Sequence, residues 1–305
     1  MTAMNRREFV MGGLASVAPV LGCATAPAER NATAQGRILF GACRSFDDAP
    51  LMKSVGFDFL ESSVATAFDP KKDEEWWKGQ RDRIRALALP VRSCNGFLPG
   101  SFRLTGPEAD FEPALAYAEK ALRRADEVGV ATIVFGSSGA RNVPGDFCAK
   151  TRPDVEKGVE QYADFCRQLT ARVADLKKVT VVIEPLRPNE TNIVNYVWQG
   201  VQICRDVNSP RLAQLADIYH MMMGREPASS LVEAGDLLRH CHVASYQTRQ
   251  YPGSEPAAVD RLRPYFAALK TLGYSGGVSC ECGWGGEGTL AQKFETALKT
   301  LKGLV

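Results

Sequence analysis

The sequence predicts an α/β protein built on a closed, parallel (β/α)8 barrel, and three observations predict it. Short, apolar, β-rich runs recur eight times, most of them separated by longer segments with apolar residues at three- and four-residue spacing. Several longer segments end in Gly or Asn shortly before the next run, at Gly56, Gly129, Asn208 and Gly273. The first turn after a run reads Gly41-Ala42-Cys43-Arg44, not the glycine-rich phosphate turn expected of an open, doubly wound sheet.

The predicted strands are 38–43, 57–62, 90–95 and 131–136, then 179–184, 212–217, 239–244 and 276–281. The clearest helical patterns are 111–129 and 155–177. Eight such units in a chain of 305 residues fit one barrel, with no second-domain boundary and no short repeat. Residues 37–305 form the expected barrel domain, and 1–36 stand apart as a signal segment and linker.

That first segment has the layout of a cleavable leader. Arg6 and Arg7 precede a short apolar run, 9–22 (FVMGGLASVAPVLG), which is too short to span a bilayer as a stable helix. Asn5-Arg6-Arg7-Glu8-Phe9-Val10 resembles a twin-arginine export signal. Val20-Leu21-Gly22-Cys23 resembles a lipoprotein box, in which Cys23 would be lipidated and tether the chain to a membrane. Ala24-Thr25-Ala26 is a competing ordinary cleavage site. The expectation is an exported protein, periplasmic or membrane-anchored.

Net charge is +2, and basic and acidic residues are interspersed. No basic stripe marks a nucleic-acid partner. The nine cysteines include no CxxC pair and no disulfide framework, so most read as buried thiols.

In such barrels the chemistry sits at the carboxyl ends of the strands. Here the last four strands end in Ile183-Glu184-Pro185, Ala216-Asp217-Ile218-Tyr219-His220, His240-Cys241-His242 and Cys280-Glu281-Cys282. A carboxylate inside a barrel is costly unless it is paired or bound to a cation. Three carboxylates and an imidazole converging from adjacent strands would meet that cost with one divalent metal ion. Mixed oxygen and nitrogen ligation suits Mn²⁺, Mg²⁺, Co²⁺ or Zn²⁺ without choosing among them. Alternation along a strand that points Glu281 inward turns Cys280 and Cys282 toward the helices. The same rule sends Cys241 outward when His242 points in. Each residue also has a plain structural reading: Asp217 as a turn cap, Glu184 or Glu281 as an ion-paired carboxylate, His242 as a core histidine. For the deeper His240 that reading leads.

At these residues the sequence resembles the sugar phosphate isomerase/epimerase group of xylose isomerase-like barrels, over roughly residues 38–300. The resemblance rests on Asn95-Gly96-Phe97-Leu98-Pro99-Gly100, on Val134-Phe135-Gly136-Ser137-Ser138-Gly139-Ala140-Arg141, and on Glu184-Pro185-Leu186 with Glu190-Thr191-Asn192. It also rests on Asp217-Ile218-Tyr219-His220-Met221, His240-Cys241-His242-Val243 and Ser279-Cys280-Glu281-Cys282. It implies a divalent metal ion held by Glu184, Asp217, His242 and Glu281. It implies that Glu190, His220 and Arg249 line a sugar site. It further implies that Glu184 and Glu281 are the catalytic pair, one removing a proton beside the substrate carbonyl and the other returning it through an enediolate. Two loops depart from the group's pattern, Leu186-Arg187-Pro188-Asn189 and Ser245-Tyr246-Gln247-Thr248-Arg249. Both face the substrate, so the departures bear on which sugar is used.

Export favours an unphosphorylated sugar. Gly283-Trp284-Gly285-Gly286-Glu287-Gly288 reads equally as a phosphate loop and as an ordinary flexible loop. Trp284 and Phe97 read first as packing residues. Two other functions fit the same residues: cleavage of an oxidised glycoside by elimination or hydrolysis, and non-catalytic sugar binding. A DNA-repair endonuclease of the same superfamily would need a histidine-rich multi-zinc site, and the chain has three His.

Overall fold

The computed structural model describes residues 36–145 and 152–305. The expected leader segment, Cys23 and Cys148 lie outside the described residues. Eight parallel strands close in sequence order into a barrel: β1 (Leu39–Cys43), β2 (Phe59–Ser63), β3 (Val91–Asn95), β4 (Thr132–Phe135), β5 (Thr180–Ile183), β6 (Leu212–Asp217), β7 (Leu238–Val243) and β8 (Gly277–Cys280). Closure comes from β1 pairing with β8, where Leu39 aligns with Gly277 and Ala42 with Cys280. All eight predicted strands are present, with ends shifted by at most two residues.

The helices follow from their ends as well as their apolar faces. Gly56, Gly129, Asn208 and Gly273 all adopt the left-handed conformation that stops a helix. Asp73 caps helix Glu74–Arg85 by accepting from the Trp76 amide, and Thr289 forms a capping box with Gln292 at helix Leu290–Lys302. The pattern at 155–177 forms helix Arg152–Arg172, which ends earlier than its apolar spacing suggests. Residues beyond it turn toward β5, where Asp126 accepts the backbone amides of Lys177, Lys178 and Val179. That cap supplies the chain reversal.

The main core lies between barrel and helices, and the cysteines follow it: Cys94, Cys166, Cys204, Cys241 and Cys280 are buried there as free thiols. Inside the barrel the filling is uneven. Val134, Val182, Ala213 and Leu215, from β4, β5 and β6, form a separate apolar cluster. Across from them, polar side chains from β2, β3 and β7 meet in a hydrogen-bonded group of Glu61, Ser93, His240 and His242.

Phe59 fills the floor beneath that group, and glycines make room for its ring. A Cβ at Gly41 would lie 2.3 Å from the Phe59 ring, and one at Gly277 would lie 3.1 Å from it. Gly41→Ala is therefore an overpacking substitution, expected to cost about 1–3 kcal/mol of stability in a denaturant titration. A loss of only a few tenths would mean that the ring moves aside freely.

Candidate metal centre

The barrel brings Glu184, Asp217, His242 and Glu281 to one point at the mouth. One ligating atom from each lies within 4.8 Å of all the others. Glu184, Asp217 and Glu281 directly follow or end their strands, and His242 is the penultimate residue of β7.

His242 is the pivot. Its Nδ1 is 2.9 Å from Glu184 Oε1 and 3.6 Å from Glu281 Oε2, so that nitrogen faces the mouth. Its Nε2 points inward, 2.9 Å from Glu61 Oε1. The other Glu61 oxygen takes His240 Nε2 at 2.8 Å and the Ser93 hydroxyl at 2.7 Å. Glu61 is wholly buried. A carboxylate behind an imidazole fixes its ring and tautomer, the arrangement that orients metal-binding histidines. Glu61 is thus part of the site, although it does not stand out among the strand ends. Its signal was parity: it shares a face with Phe59, and a carboxylate two residues from an inward Phe is itself inward.

Asp217 reconciles two readings. Its Oδ1 caps the following turn, accepting from the amides of Tyr219 (2.7 Å) and His220 (3.2 Å). Its Oδ2 is buried and takes no hydrogen bond. A buried carboxylate oxygen without a donor is costly, and a cation at the point shared with Glu184, His242 and Glu281 would satisfy it. The donor set, three carboxylates and one imidazole, fits a divalent ion. Gly136, just after β4, leaves room for the Glu184 carboxylate: a Cβ there would stand 2.2 Å from its Oε2.

The charges agree. Burial, then the Glu281 charge, holds the Glu184 carboxyl above its ordinary range. Burial also pushes Glu281 upward, but His242 and Arg249 outweigh it and hold Glu281 down at about 2. For His242, burial opposes the charged form, yet Glu61 and Glu281 outweigh it and raise the imidazole well above its usual value. His240 goes the other way, lowered because burial wins. Cys43 also lies within ligating range of His242 and Glu281. Burial, reinforced by Glu61, pushes its thiol well above the usual range. A retained proton makes it a weak ligand.

Glu190, His220 and Arg249 stand around this point. Arg249 Nη2 donates to Glu281 Oε2 at 2.9 Å, and Nη1 donates to Glu190 Oε1 at 3.1 Å. His220 Nε2 lies 3.5 Å from Asp217 Oδ2 and 3.8 Å from Glu190 Oε2. Arg187, from one departing loop, adds a contact to Glu190 (2.8 Å) and one to the Tyr219 hydroxyl (2.9 Å). Arg249 and Val194 hold positive φ angles of 53° and 55° on the two loops that present these side chains. For a β-branched residue such as Val194 that conformation is strained, and Asn195 pins the loop by donating to the Leu186 and Thr191 carbonyls. Phe97 packs edge-on against Phe135, and Trp284 stacks on Tyr251. Lys293 bridges the glycine-rich loop through the Trp284 and Gly286 carbonyls.

The chain belongs to the xylose isomerase-like TIM barrel family, whose model matches residues 50–304. It is similar to a probable ketose 3-epimerase of Synechocystis sp., with 25% identity over 238 residues, covering 77% of this chain and 76% of that protein. It is also similar to an L-ribulose 3-epimerase of Methylomonas sp., with 28% identity over 179 residues, covering 56% of this chain and 58% of that protein. Among solved structures, the 3-keto-D-glucoside 4-epimerase of E. coli superposes with a TM-score of 0.71 at 21% identity, covering 88% of this chain and all of that one. That likeness is one of fold.

Two measurements follow. Glu61→Gln removes the charge behind His242 and is expected to weaken divalent-cation affinity about 10–100-fold in a chelator competition. Because a cation at Nδ1 must displace the raised His242 proton, affinity should climb with pH across the neutral range, with protons released on binding. Calorimetry in buffers of different ionisation enthalpy reads that release, and a pH-independent affinity would contradict it.

Proposed function

We propose that this protein is a divalent-metal-dependent sugar isomerase or epimerase that moves a proton beside a substrate carbonyl. The observation that carries the reading is the buried Asp217 Oδ2, which takes no hydrogen bond, at the point shared with Glu184, His242 and Glu281. A divalent ion held there supplies Lewis acidity that lowers the cost of an enediolate. Glu184 and Glu281 both approach His242 Nδ1, at 2.9 and 3.6 Å, so two carboxylates stand at one point, one to remove the substrate proton and the other to return it. Arg249 holds Glu281 ionised and, with Glu190 and His220, offers polar contacts to substrate hydroxyls. The epimerase relatives support the same chemistry.

The leader residues support export by the twin-arginine route, with Cys23 as the lipidated residue if the lipoprotein box is used. Metabolic labelling with a fatty acid, lost in Cys23→Ala, tests the anchor.

The reaction is tested by solvent deuterium. A chelated sample should incorporate no deuterium beside the carbonyl of a keto-sugar, and a divalent ion should restore uptake. Glu184→Gln and Glu281→Gln at saturating metal should each slow uptake by about 10²–10⁴-fold. Release of fragments from a keto-glycoside would replace this reading with a lyase or hydrolase. Intact sugar binding in Glu184→Gln, with no turnover by the parent protein, would replace it with a binding protein.

A further inference from the structure

Beyond the cation cluster, the mouth divides into two cavities. One, of about 390 Å³, contains Glu184, Glu190, Arg249 and Glu281. The other, of about 460 Å³, lies over the ends of β1, β2 and β3, lined by Cys43, Arg44, Ser45, Ser63, Thr66 and Asn95. Asn95 belongs to both, and its Nδ2 donates to Glu281 Oε1 at 3.1 Å. The second cavity therefore begins beside one carboxylate of the reacting pair. Each alone falls within the range of about 300–1,000 Å³ typical of small-ligand sites.

We propose that the second cavity binds a further, uncharged sugar unit, so that the substrate is a keto-sugar carrying a glycosidic substituent and not a free monosaccharide. The proposal rests on the isomerase/epimerase reading and names its substrate class. Hydroxyls and an amide dominate the lining, groups that donate to and accept from sugar hydroxyls. Arg44 is already compensated: its Nε donates to Asp48 Oδ2 at 2.8 Å, and Asp48 also accepts the Ser45 hydroxyl at 3.1 Å. Glu61 lies at the cavity wall and Glu281 adjoins it through Asn95. A phosphate would face those carboxylates with one guanidinium whose charge is shared, whereas a neutral unit meets no such opposition. Thr66 sits exposed on the short helix Val64–Ala67 and marks the outer wall.

The experiment compares deuterium uptake by the metal-loaded protein with three substrates: a ring-oxidised disaccharide, the matching free ketose and its phosphate. The disaccharide should lead in kcat/KM by about tenfold or more. Thr66→Trp, which places an indole in the second cavity, should cut that lead by about tenfold with bound metal unchanged. Ser45→Tyr should do the same from the β1 side and serves if the first variant fails to fold. Equal rates on disaccharide and free ketose, with a ratio that neither variant moves, would overturn the proposal and leave the isomerase/epimerase reading standing. Preference for the phosphate would also overturn it. No uptake from any of the three would overturn both.

Discussion

The site depends on a buried carboxylate that meets the mouth cluster through His242. Glu61, wholly buried, binds two histidines and a serine inside the barrel. Ionised and unpaired, it would cost several kcal/mol. Paired, it is held well below the ordinary carboxylate range: burial works against it, but His242 and His240 prevail. The consequence is directional. With Nε2 committed to Glu61, His242 can present only Nδ1 to the mouth, where Glu184, Asp217 and Glu281 converge. The same ring would be free to turn without that partner.

Around this fixed ring the mouth carries more negative charge than its own cations offset. Glu61, Glu184, Asp217 and Glu281 face two cationic partners, His242 and Arg249. Such a surplus at depth would suit a cation, because desolvated like charges are otherwise relieved by protonation. Glu184 is the carboxyl that burial and the Glu281 charge push upward. A divalent ion at that point would offset the charge that pushes Glu184 upward.

The fold is legible in the sequence because strand alternation and helix stops both leave marks in composition. Gly129 and Gly273 end helices because the chain turns there through a left-handed residue, a conformation that glycine adopts at no steric cost, so residue type alone marks the stop. The four residues that cluster at the mouth are legible for a related reason: each is a polar group at the end of an apolar run. Glu61 is not, because its partners come from β3 and β7, and nothing in one strand names its cross-barrel neighbours. Asn95 opens one of the family-like motifs, yet its contact with Glu281 spans the barrel. Cys43 reads in the sequence as one more packing thiol, although its parity turns it inward, toward Ser279 at 3.6 Å. The expected leader is the converse case: the residue pattern there can be read, and the described residues begin after it.

The interior's uneven filling explains where the mouth has room. The four clustered candidate ligands all come from the ends of β5 to β8. The opposite strands end in, or are followed by, small or neutral residues: Cys43, Ser63, Asn95 and, just after β4, Gly136. Deeper down, the apolar cluster of Val134, Val182, Ala213 and Leu215 fills one flank, and the Glu61 group fills the other. Over β1, β2 and β3 the Glu61 group supplies only part of the wall of the second cavity. Space beside Glu281 is thus a direct result of concentrating the charged residues on half of the barrel, and that space decides how large a molecule the carboxylates can reach.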